Sequence, residues 1–119
     1  VYRLDLAMAD QSQERVVLRA HGPTHGGHGA EIEYRLLRAV ADAGLPTARP
    51  IAVDTSARLL PYPYLLLEFV EGDPAFDPGE AGIRIPAMAA LLAAIHATHL
   101  AGFPPLPGRR DPFPEVLSY

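Results

Sequence analysis

The sequence predicts an α+β fold, an antiparallel sheet carrying one helix, with a second helix set off behind a linker. Three observations carry this. Four short segments read as strands, the first two divided by a polar turn. One segment repeats its apolar residues at the helical period. Glycine and proline punctuate the junctions between them.

The elements follow in order. In residues 2–8, Tyr2, Leu4, Leu6 and Met8 alternate with Arg3, Asp5 and Ala7, the pattern of a half-buried strand. Residues 9–13 (ADQSQ) are a polar turn and residues 15–20 (RVVLRA) a second strand, so a β-hairpin is expected. Residues 21–29 (HGPTHGGHG) form a glycine-rich loop. Residues 30–43 read as a helix, with Gly44 as its stop and Pro46 beyond. Residues 50–54 (PIAVD) and 64–70 (YLLLEFV) are two more strands, joined by a loop with Pro61 and Pro63; the continuous apolar run of the second predicts a central strand. Residues 71–82, with Gly72, Pro74, Pro78 and Gly79, read as a linker. A second helix is expected over residues 85–99, with Pro86 in its first turn and Met88, Leu91, Leu92, Ile95 and His99 on one side. From Gly102 onward prolines predict an extended or irregular end.

Composition bounds the function. The 119 residues suit one small domain or part of a larger one, and 49% hydrophobic with 20% charged is a globular balance. A net charge of −4 gives no footprint of a nucleic-acid or anionic-membrane binder, so neither partner is expected. The absence of cysteine excludes disulfides, thiolate metal sites and cysteine nucleophiles. No uninterrupted apolar run reaches the roughly 18 residues of a membrane span and no signal peptide opens the chain, so a cytoplasmic setting is expected. All 10 basic residues are Arg, and Asn is missing as well. A mechanism that needs a Lys or Asn side chain cannot be completed within this sequence. The first residue is Val, which suggests a piece of a longer, or processed, gene product.

One acid stands out on the first helix. Taking Ile32 as zero, Leu36 lies at about 40°, Val40 at about 80° and Leu37 at about 140°, which outlines the buried side, and Glu33 falls within it at about 100°. Glu31, Tyr34, Arg35 and Arg38 turn toward water. A buried carboxylate is unfavourable unless a cation meets it. Arg19 shares a strand face with Arg15 and Val17, so a helix packed on that face would bring Arg19 and Glu33 together. The alternative is a Glu33 at the edge of the apolar side, reaching solvent. Glu68 is a second anomaly, an acid ending the apolar strand just before EGDP. It marks either a plain strand end or an edge whose backbone groups pair with a planar heterocycle.

Taken together, RVVLR, the glycine-rich loop, AEIEYRLLRAVADAGLPTARPIAVD, PYLLLEFVEGDP and LLAAIHATHLAG resemble the aminoglycoside phosphotransferase and choline-kinase-like family. The resemblance runs from about Val1 to Gly102 and implies a protein-kinase-like fold. On that basis residues 1–70 are a partial N-terminal nucleotide-binding lobe, 71–84 the hinge or linker, and 85–119 the start of a C-terminal lobe with its first helices. Arg19 stands where the family carries the basic residue, often Lys, that holds the α- and β-phosphates. Glu33 matches the helix acid that orients this base, and Leu67 the gatekeeper. Glu68 and Val70 match the hinge positions whose backbone C=O and N–H pair with adenine. The implied activity is transfer of the terminal phosphate of ATP or GTP, with Mg²⁺, to a hydroxyl of a small molecule. The nucleotide and that acceptor are the implied partners. The family's catalytic loop, H-G-D-x-x-x-x-N, is absent from the sequence; His21 begins HGP and His28 begins HGA. The catalytic Asp and metal-binding Asn are therefore expected downstream, no catalytic or metal-binding residue is assigned here, and negligible kinase activity is expected of the chain alone.

Two other readings compete. His21, His25 and His28, with His96 and His99 three apart on the second helix, suggest zinc ligands. A degenerate or truncated module that binds a nucleotide or a partner without catalysis is the other.

Overall fold

The computed structural model describes residues 1–23, 28–75 and 77–105. Four strands, β1 (Tyr2–Ala7), β2 (Gln13–Ala20), β3 (Pro50–Asp54) and β4 (Tyr64–Glu68), form one antiparallel sheet in the order β1-β2-β4-β3. Helix α1 (Ala30–Asp42) connects β2 to β3, and helix α2 (Ala81–His96) follows β4. This is the α+β arrangement the patterning predicts, with the apolar strand β4 central, between β2 and β3.

Local chemistry explains the hairpin. Met8 N–H donates to the Ser12 carbonyl at 2.9 Å, closing the turn, and Gln11 takes the left-handed conformation at φ 69. The Asp10 carboxylate accepts from Ser12 N–H at 3.0 Å and from its hydroxyl, an Asx turn. The register sets Arg15 opposite Asp5 and Leu18 opposite Tyr2.

Facing positions on antiparallel strands share a sheet face. Val17 pairs with Leu67 and Arg19 with Leu65, so these four project to one side. That side carries the core: Ala30, Leu65 and Leu67 are buried, and Val17, Tyr34, Leu37, Ala48 and Val53 pack against them. Leu65 is 0% exposed, and burying a leucine contributes about 2 kcal/mol.

The face α1 turns to the sheet differs in part from the helical-wheel reading. Tyr34, expected in water, packs on the core with Leu37 and Ala30. The contact face thus centres near about 160°, and Ile32 and Leu36 lie to its side, half-buried. An aromatic ring can cover apolar surface while its hydroxyl stays wet, so polarity alone misplaced it. α1 ends in a Schellman motif. Gly44, at φ 77, donates to the Ala41 carbonyl at 2.9 Å, and Leu45 N–H donates to the Val40 carbonyl at 3.2 Å.

β4 stops at Glu68, short of the strand expected through Val70. Its outer neighbour ends there: Glu68 N–H donates to the Arg49 carbonyl at 2.8 Å, and Arg49 N–H returns to the Glu68 carboxylate at 3.2 Å.

The second helix is also displaced from expectation. It runs from Ala81 to His96, after a 3₁₀ turn at Pro78–Glu80, so part of the expected linker is helical and His99 lies beyond the helix. The Asp77 carboxylate caps that turn by accepting from Gly79 N–H at 2.8 Å, with Pro78 at the first position. Asp followed by Pro is a helix-start signal; here the glycines and prolines masked it. Pro86 therefore sits inside α2 rather than in its first turn. His96, the last residue of the helix, is exposed. From Pro78 to His96 the helical stretch has the length, 19 residues, and hydropathy, 1.2, to cross a membrane by composition alone. Glu80 and Arg84 interrupt it, which is why a search for an unbroken apolar run passes over it. α2 meets the lobe at a cleft where Leu91 and Ile95 face Val40, Leu45 and Pro46. Residues 103–105 have no regular structure, as expected of a proline-rich end, and 106–119 lie outside the described residues.

Candidate functional site

The site forms where the end of β2 meets the first turns of α1. Strand alternation carries Arg19 to the helix side of the sheet, and Glu33 N–H donates to the Gly29 carbonyl at 3.1 Å as the helix begins. Arg19 Nη1 lies 2.9 Å from Glu33 Oε1. The Glu33 side chain is 17% exposed and that of Arg19 41%. So open a pair adds about 1 kcal/mol or less to stability. Its use is positional: a guanidinium held by one carboxylate keeps other N–H donors directed outward, where an anionic oxygen can take them.

A third group joins them. His21 Nε2 lies 3.0 Å from the second carboxylate oxygen, Glu33 Oε2, and its side chain is 4% exposed. The His21 backbone N–H donates to the Pro63 carbonyl at 2.8 Å. From the sequence His21 belongs to the glycine-rich loop, among the zinc-ligand candidates. Alternation held the missed signal: two residues after Arg19, His21 falls on the same face.

The remaining predicted positions lie along β4 and just past it. Leu67 is buried in the core, opposite Val17. Glu68 is exposed, with its N–H and one carboxylate oxygen committed to Arg49. Val70 is exposed beyond the strand. Arg19 and Glu33 thus touch, and Leu67 lies on the same sheet face; Glu68 and Val70 follow at the strand end.

Arg15 is a further residue that sequence reasoning missed. Its Nε lies 3.0 Å from Asp5 Oδ1 and its Nη1 2.6 Å from Glu71 Oε1, while the guanidinium sits 5.0 Å from the centre of the Phe69 ring. It ties the segment after β4 back to β1 and β2. No spacing rule joins residues 56 positions apart.

The donor set for a metal is poor. Among the described residues no three His, Asp or Glu side chains gather to hold an ion. His25 lies outside the described residues, His21 faces Glu33, and His99 has left the helix that was to align it with His96. The described side chains therefore do not fit a zinc site, which needs three or four converging protein ligands.

Compared with known families, the chain matches the profile described as "Phosphotransferase enzyme family" over residues 6–119. No curated protein matches it.

Proposed function

Since the chain belongs to the phosphotransferase enzyme family, we propose that it forms the nucleotide-binding part of a kinase moving the terminal phosphate of ATP or GTP to a hydroxyl of a small molecule. The observation that carries this reading is the Arg19–Glu33 pair at 2.9 Å on the helix side of the sheet. Arg19 neutralises and holds the α- and β-phosphates, and Glu33 fixes the direction of its guanidinium. Leu67 lies behind the base, while the Glu68 carbonyl and Val70 N–H meet the adenine edge. Arg15 steadies the segment after β4 through Glu71 and Phe69.

Phosphoryl transfer depends on positioning and on neutralising charge. Mg²⁺ supplies part of that neutralisation when bound; among the described residues no three acidic or imidazole groups gather to hold it without the phosphates. The groups named here bind and orient the donor. Their removal changes affinity for the nucleotide first.

Titration of the full 119-residue chain with a fluorescent ATP analogue tests this. Arg19→Ala should weaken binding about tenfold, the scale of one charge-assisted contact, with the thermal midpoint little changed. Equal affinity in the two proteins refutes the assignment. A second reading is a nucleotide- or partner-binding module that does not transfer phosphate. Phosphate release or transfer above background in the same preparations would exclude it.

A further inference from the structure

We propose that His21 is a positioning residue for nucleotide binding: its imidazole holds one oxygen of Glu33 so that the other stays on Arg19. The inference rests on the reading of Arg19 as the phosphate-binding group. Rotation of a carboxylate about its last side-chain bond is soft, with broad, roughly two-fold preferences. One partner at Oε1 does not fix its plane. A second partner on Oε2 does, and His21 Nε2 is there at 3.0 Å. The two partners differ in what holds them. Arg19 is 41% exposed and can sample water. The His21 side chain is 4% exposed, and its backbone N–H is anchored on Pro63 at 2.8 Å. The imidazole is therefore the fixed point, the carboxylate the hinge piece, and the guanidinium the part that meets the ligand. Arg19 and His21 reach the same acid because His21, just past the end of β2, continues the alternation two residues after Arg19.

The test is a double-mutant cycle on affinity for the fluorescent ATP analogue, read in the full chain beside an Arg19→Ala control. His21→Phe fills the same space without a donor and should weaken binding about tenfold, while His21→Gln, which keeps an N–H, should stay within about twofold of wild type. In a Glu33→Gln background, His21→Phe should have no further effect. Unchanged affinity of His21→Phe overturns the proposal, and so does an equal loss in both backgrounds, which marks a merely structural residue. If Arg19→Ala binds as well as wild type, the phosphate reading fails first and His21 loses this role with it. Should the His21 variants not fold, the imidazole ¹⁵N resonances of His21 decide. They should move on Glu33→Gln, and their constancy overturns the proposal.

Discussion

The sheet with α1 and the helix α2 solve the same problem in opposite ways. In the first region the apolar side chains face one another: Leu65, Leu67 and Ala30 are buried and Tyr34 and Leu37 close over them. In α2, Ile83 is 78% exposed and Met88 64%, and no residue of the helix is buried. A helix apolar on all sides is built to be surrounded. Among the described residues, Leu91 and Ile95 find part of such an environment, in the cleft with Val40, Leu45 and Pro46. Sequence hydrophobicity alone would rank α2 as the core. What decides stability is whether the apolar surface has a neighbour, and in this chain that neighbour lies on the sheet.

Substitutions can break or sharpen this contrast. Leu65→Ala should have the largest effect, about 3 kcal/mol in chemical denaturation, because it empties the best-packed position. Gly44→Ala should lose about 1 kcal/mol: no atom lies within 4 Å of the added methyl, so the left-handed backbone at φ 77 accounts for the whole effect. Ile83→Gln on α2 should change stability by no more than about 0.5 kcal/mol. A loss there as large as that of Leu65→Ala would mean that α2 is part of the cooperative core, and the contrast would fail.

The smallest effect is electrostatic. The Asp54 carboxyl is held below the usual carboxylate range, first by the Ser56 hydroxyl and then by Ser56 N–H at 2.7 Å. A carboxyl depressed in the folded state adds stability above its unfolded pKa and loses it as pH falls through the folded value. Thermal midpoints of wild type and Asp54→Asn should therefore differ slightly at neutral pH and converge in acid. A gap that widens in acid would reverse the sign.

Much of this was legible in the residues. Alternation in residues 2–8, and the apolar runs within 15–20 and 64–67, define strands because a half-buried or central strand has few other patterns. Glu33 was legible as an acid among apolar neighbours on one helical face. His21 was legible only by carrying the alternation of β2 one residue past its end, into the glycine-rich loop. Arg15 was not, because its partners lie on β1 and in the segment after β4, far apart in sequence. The start of α2 was hidden by glycine and proline at 78–82, the same residues that both break helices and begin them. Tyr34 shows the limit of a wheel drawn by polarity, as its ring seals the core that the wheel assigned to Leu36.

The placement of β4 between β2 and β3 also sets an order of assembly. The hairpin and α1 draw only on contacts close along the chain, but two strands keep raw edges until Tyr64–Glu68 arrives to join them. During synthesis the interval between residue 54 and residue 68 is when this sheet is most open to pairing with a stranger.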